Sequence, residues 1–162
     1  MPTAFVDNLE DNARQEMIGL LNDRLAECID LTLAVKQAHW NVKGSSFIGF
    51  HELLDDVAER FRDHSDLMAE RAVILGGFAR GTTRVVAEQT KLEPYPLDLA
   101  DIPRNAAELR DRMMAFGGRL RDGIEAADDA GDMDTSDLFT EVSRSVDKDA
   151  WFVGAHAEVT KG

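Results

Sequence analysis

The apolar residues of this chain recur at three-and-four spacing along four long stretches, and nowhere do they alternate with period two. That pattern dictates packed helices and excludes a sheet protein. In the first stretch Met17, Leu21, Leu25, Cys28, Thr32 and Val35 fall on one face, with Leu20 and Ile29 beside them. The helix is expected to start near Asn8 and end near Trp40–Gly44, where Asn41 and Gly44 are natural terminators. Ser45 or Ser46 is placed to cap a second helix, whose stripe is Phe50, Leu54, Val57, Phe61, Met68 and Leu75 and which stops at Gly76-Gly77.

The segment from Gly81 to Pro103 breaks the pattern. It holds three of the four prolines and has room for one short helical turn around Arg84–Gln89. Pro103 opens a third long helix with Leu109, Met113, Phe116, Leu120, Ile124 and Ala127 on one face. Within it, Gly117-Gly118 suggest a close approach by a neighbour. Asp134 or Thr135 is placed to cap a fourth helix carrying Leu138, Val142, Val146 and Phe152. Short, long and short connections between four helices describe a single-domain (1–162) all-α four-helix bundle with one long crossover carrying a short helix.

Composition narrows the function. There are 31 acidic against 18 basic residues, a net charge of −13, so the surface attracts cations rather than nucleic acid. No apolar run reaches the length of a membrane span, and the first residues do not read as a secretory signal; a cytoplasmic location and no membrane partner are expected. One cysteine, Cys28, supports neither an intramolecular disulfide nor a thiolate-rich metal site.

The chemistry-bearing residues cluster on the first two helices. His39 ends the first; His51, Asp55, Asp66 and Glu70 lie on the second. His51 and Asp55 are four apart, as are Asp66 and Glu70, and Asp55 and Asp66 differ by only about 20° around the axis. Along the axis, however, they are about 16 Å apart. Ligands of one ion lie within roughly 2 Å of it, so both pairs cannot serve one ion within one chain. Either the pairs are unrelated, or a two-fold axis runs a second copy of the helix antiparallel and brings His51/Asp55 of one chain to Asp66/Glu70 of the other, giving two equivalent sites. Imidazole and carboxylate without thiolate suit iron, manganese or zinc. In a chain with 31 acids, Asp66/Glu70 alone would most simply be a solvated face, and His51/Asp55 alone a surface pair or a partial cap.

These residues sit in longer matches. Lys36-Gln37-Ala38-His39-Trp40-Asn41-Val42-Lys43-Gly44, then Phe47 and His51-Glu52-Leu53-Leu54-Asp55, resembles the first signature of the Dps family, the DNA-protection-during-starvation proteins or mini-ferritins. Asp66-Leu67-Met68-Ala69-Glu70-Arg71, ending in Leu75-Gly76-Gly77, resembles the second. Gly81-Thr82-Thr83, Tyr95-Pro96-Leu97-Asp98, Asp134-Thr135-Ser136-Asp137 and Val146-Asp147-Lys148 with Trp151-Phe152 extend the likeness to the end of the chain. Phe50 and Ser65, each preceding a candidate ligand, depart from the residue types more usual there.

The resemblance implies a ferritin-like bundle assembled as a hollow homododecamer. It implies an iron-oxidising centre between two-fold-related chains, with His39, His51 and Asp55 from one and Asp66 and Glu70 from the other. The implied reaction is Fe(II) oxidation, preferably by hydrogen peroxide, with ferric mineral kept in the cavity and DNA thereby protected. Zinc or another divalent ion suits the same ligands. Trp40, beside His39, is a candidate electron donor, although a packing tryptophan is the simpler reading. His64, on the apolar stripe, reads as a hydrogen-bonded core histidine and His156 as structural or exposed. Asp132 and Asp137, with Asp128 and Asp134 behind them, are candidates for lining three-fold pores; helix-start carboxylates are the alternative. Asp56, Glu59 and Asp63 are candidates for an acidic inner wall. Many members of that family condense DNA through a lysine-rich N-terminal arm. Here the first basic residue is Arg14, after Asp7, Glu10 and Asp11, so weak or absent DNA binding is expected.

Overall fold

The computed structural model describes residues 2–157. Five helices follow one another: α1 (Asp11–Asn41), α2 (Phe47–Ile74), α3 (Thr83–Gln89), α4 (Ile102–Asp129) and α5 (Met133–Gly154). Among these residues the only β pairing is an isolated bridge between Lys43 and Asp101. α1 pairs along its length with α2, and α4 with α5. The two hairpins close into a bundle through α1 against α4 and α2 against α5, while α3 lies on α1.

The core is the set of stripes read from the sequence. Phe50, Phe61, Phe116 and Phe139 are fully buried at its centre, with Met17, Leu21, Leu31, Leu54, Met68, Leu109 and Met113. On α5 the buried face is rotated from the expected one. Phe139, Val142, Val146, Ala150 and Val153 face inward, Leu138 is half-buried, and Phe152 sits at the rim against Trp151. Positions 139, 142, 146, 150 and 153 follow the 3.6-residue period more closely than 138, 142, 146 and 152.

Helix ends show where the local signals held. Gly44 (φ +137°) and Gly76 (φ +90°) terminate the α1 and α2 ends in backbone conformations that favour glycine. At Gly76 a Cβ would stand 3.1 Å from both the Ala4 amide and the Pro2 carbonyl, so the N-terminal segment packs directly on this turn. α1 starts three residues later than expected, because Asn8 takes a left-handed conformation (φ +61°). Ser46 occupies the α2 N-cap without a side-chain bond. The α5 cap is Asp132, not Asp134 or Thr135: its carboxylate accepts from the Thr135 amide (3.0 Å) and hydroxyl (2.6 Å). Asp101 caps α4, with Pro103 in the first turn. Of the Gly117-Gly118 pair, only Gly117 meets a neighbour; a Cβ there would lie 3.0 Å from Asp147 Oδ1 of α5.

The crossover spans the bundle. It leaves α2 at Ile74 and reaches α4 beside the α1–α2 turn, where the Lys43 amide donates to the Ala100 carbonyl (2.9 Å). Side chains pin it on the way. Asn22 receives the Arg80 amide (2.8 Å) and donates to the Phe78 carbonyl (3.0 Å). The Thr90 hydroxyl donates to Asp30 (2.7 Å) and the Tyr95 hydroxyl to Asn105 (2.5 Å). No helix among the described residues is long and apolar enough to cross a membrane.

Candidate metal centre

The α1–α2 turn builds the centre. α1 and α2 are antiparallel and joined by residues 42–46, so the last turn of α1 faces the first turns of α2. His39 and His51 meet there as stacked rings, centroids 3.7 Å apart and planes 17° from parallel. Each imidazole bonds the other residue's backbone. His39 Nδ1 lies 2.8 Å from the His51 carbonyl, and His51 Nδ1 lies 2.8 Å from the His39 carbonyl. A carbonyl oxygen only accepts, so both Nδ1 atoms carry the proton. In the neutral rings both Nε2 atoms therefore keep a lone pair. A histidine that ligates metal ordinarily donates its other N–H in this way, which fixes the tautomer and ring orientation.

The carboxylate follows one turn along α2. Asp55 Oδ1 stands 3.9 Å from His39 Nε2 and 2.6 Å from the Lys36 ammonium, and the Asp55 side chain is 57% exposed. The hydrogen bond from Lys36, with its charge, holds Asp55 below the usual carboxylate range. His39 is buried, His51 half-buried, and Phe47 packs on His51 (4.9 Å). Imidazole and carboxylate are hard and borderline donors: they suit Fe(II), Mn(II) or Zn(II) and offer nothing for a soft ion.

Asp66 and Glu70 lie about three turns further along α2 and are exposed. No three His, Cys, Asp or Glu side chains among the described residues converge on one point. Asp66 instead borders an open depression of about 410 Å³ between α1 and α2, walled by Leu25, Ile29, Leu33 and Ala69. Leu33 is 49% exposed within the protomer.

A ferritin-like domain model matches residues 18–162. The DNA protection during starvation protein of Agrobacterium fabrum is 44% identical over 152 residues, covering 94% of each chain. The chain belongs to the Dps family. Among solved structures, the tetragonal form of Mycobacterium smegmatis Dps superposes with a TM-score of 0.93 at 30% identity, covering 100% of this chain and 98% of that one. DpsA14 from Streptomyces coelicolor superposes with a TM-score of 0.92 at 34% identity, covering 99% and 95%. The all-helical ferritin-like bundle is thus common to this chain and its Dps relatives.

The remaining sequence candidates divide. Trp40 is 65% exposed, so within the protomer it is not the packing residue that was the simpler expectation. His64 is buried with Nε2 2.9 Å from the Ser145 hydroxyl, as expected of a core histidine, and burial lowers its pKa. His156 is exposed, its ring tilted 59° to that of Phe50 with centroids 5.0 Å apart. Asp137, Asp128, Asp134, Asp56, Glu59 and Asp63 are exposed. Asp132 is not a free pore carboxylate in this structure. It is 3% exposed, caps α5, and pairs with Arg71 (2.7 Å).

Two residues escaped the sequence reading. Lys36 pairs with the candidate ligand Asp55; its place three residues before His39, on the same helix face, was the available signal. Arg71, directly after Glu70, ties the end of α2 to the start of α5 through Asp132 and Thr135. No local pattern announces that contact.

Proposed function

We propose that this protein oxidises Fe(II), preferably with hydrogen peroxide, and keeps the ferric product as mineral inside a cage of twelve copies. The observation that carries the proposal is the reciprocal bonding of His39 and His51, which engages both Nδ1 atoms and leaves both Nε2 atoms out of those bonds, with His39 Nε2 3.9 Å from Asp55. His39, His51 and Asp55 form one half of the centre. Asp66 and Glu70 of a two-fold-related copy complete it. The axial distance between the two groups supports an inter-chain centre, as does the exposed, partly apolar surface around Asp66. Membership of the Dps family supports it from a separate direction.

Iron is substrate in this scheme. Each Fe(II) gives up one electron; one peroxide takes two electrons and two protons, its O–O bond breaks, and two waters form. Using two Fe(II) per peroxide avoids the one-electron split that would release a hydroxyl radical, and this is how DNA would be protected. Trp40, next to His39, is the candidate donor of the second electron when only one Fe(II) is present. Asp137, with Asp128 and Asp134, is the candidate route by which Fe(II) is drawn inward, and Asp56, Glu59 and Asp63 are the candidate wall for mineral growth. Anaerobic loading with Fe(II) followed by peroxide tests the reaction. A rapid rise in ultraviolet absorbance on a cage-sized species is expected; a rise no faster than in buffer would refute it.

DNA condensation is the second reading, favoured only by family membership. The net charge of −13 opposes it. A gel shift at physiological salt should leave plasmid unretarded, and robust retardation would reverse the ranking of the two readings.

A further inference from the structure

We propose that Lys36 is a resident counter-cation of the His39–His51–Asp55 half-site, and that a divalent ion binds there by displacing it. The inference rests on the reading of these three residues as metal ligands. The Lys36 ammonium is 2.6 Å from Asp55 Oδ1, and His39 Nε2 is 3.9 Å from that same oxygen. Two bonds of about 2.1 Å each span up to about 4.2 Å, so an ion shared by His39 and Asp55 uses the oxygen that Lys36 now holds. A divalent ion and an ammonium on one carboxylate oxygen repel strongly at such range. One of them must leave.

Lys36 has somewhere to go. Its side chain is 16% exposed and runs along Trp40, with the ammonium 5.8 Å from the indole centroid. A short swing on the four-carbon stem exchanges the carboxylate for the indole face and solvent. In the absence of metal the ammonium orders Asp55, which is otherwise open to solvent, toward His39. When metal arrives, its departure is a cost subtracted from affinity. The half-site therefore holds divalent ions more weakly than its donors alone would. Monovalent ions, with half the charge, gain too little to displace the ammonium. Weak holding suits a centre that must pass its product on to a store.

A plain ordering role for Lys36 predicts the opposite sign, so affinity decides. Titration of the assembled protein with Co²⁺, followed by visible absorbance and with no oxidant present, reads binding without turnover. Lys36→Met keeps the stem over Trp40 and removes the charge. It should bind Co²⁺ about threefold more tightly, the size expected when the ion no longer has to break one exposed ion pair. Lys36→Arg keeps the charge and should bind like the parent. Unchanged or weaker binding by Lys36→Met would overturn the proposal. Asp55→Asn separates the two failures. If it abolishes binding while Lys36→Met changes nothing, only the role of Lys36 falls. If Asp55→Asn binds like the parent, the half-site is not where metal binds, and the functional reading falls with it.

Discussion

His39 and His51 hold each other: each ring N–H donates to the other residue's backbone carbonyl at 2.8 Å, and the rings stack 3.7 Å apart. The bonds tie the last turn of α1 to the first turns of α2, so the fold of the turn and the aim of the two Nε2 atoms are one feature. Replacing His51 by Gln removes one ligand nitrogen and the ring stacked on His39, while the backbone carbonyl that orients His39 stays in place. Co²⁺ affinity should fall by at least about tenfold, since loss of an orienting partner alone costs about 10–100-fold at metal sites. Far-ultraviolet circular dichroism should be unchanged. Parent-like affinity in this variant would show that the imidazole pair is structural.

An ion pair with one buried member, on the opposite side of α2, supports the bundle rather than the centre. Asp149 of α5 is 1% exposed and accepts from Arg60 of α2, Nε to Oδ1 at 3.1 Å and Nη2 to Oδ1 at 2.7 Å. Arg60, 39% exposed, is partly screened by solvent, but Arg60→Met leaves the buried carboxylate without its donor. The expected loss of stability is about 2 kcal/mol, measured by denaturant unfolding. Asp149→Asn keeps a hydrogen-bonding side chain without the charge and should cost less. Equal effects from both variants would argue against a charge-specific contact.

How far the sequence carries depends on whether a feature is local. The helices, the glycine turn at Gly44 and the crossover from the end of α2 to Asp101 follow from spacing and turn chemistry, and the structure shows them. The grouping of His39 with His51 and Asp55 was legible only through the family resemblance; the structure shows the tight turn that brings the ends of the two helices together. The α5 cap was expected at Asp134 or Thr135 and falls on Asp132, because acids at a helix start look alike in sequence. Asp132 also pairs with Arg71, sixty-one positions earlier and brought close only by the fold. The α5 register slipped because Trp151 and Phe152 are apolar yet 69% and 36% exposed, so hydrophobicity alone marked the wrong face. Surface that a partner would cover is indistinguishable in one sequence from core.

Cys28 offers a pH-dependent check on the core. It is completely buried, its thiol lies 3.3 Å from the Phe61 carbonyl, and burial pushes its pKa up from 9.0 to about 12. A thiol reagent at pH 8 should leave it unmodified in the native protein and react fully in denaturant. The native state holds the proton more tightly than the unfolded chain. The linked stability is thus fully present below pH 9 and lost as pH rises from 9 toward about 12, and Cys28→Ala should remove that contribution. Rapid native-state modification at pH 8 would mean that α1 and α2 open locally around Phe61.

Mixed cages separate an inter-chain centre from one built within a protomer. Let one chain carry Asp66→Ala and Glu70→Ala, and the other His51→Ala and Asp55→Ala. Cages of either chain alone have every centre damaged and should oxidise Fe(II) slowly. In a dimer of the two, one centre takes His51 and Asp55 from the first chain and Asp66 and Glu70 from the second, so it is whole. The other collects both defects. Co-expression should therefore restore fast oxidation in about one quarter of centres if the chains assort at random, because half the dimers are mixed and each has one intact centre. A centre confined to one chain would be damaged in every protomer, and mixing would restore nothing. Column sizing establishes that the mixed material is assembled. Assembled mixed cages that oxidise no faster than their parents would rule out ligands shared across the two-fold axis.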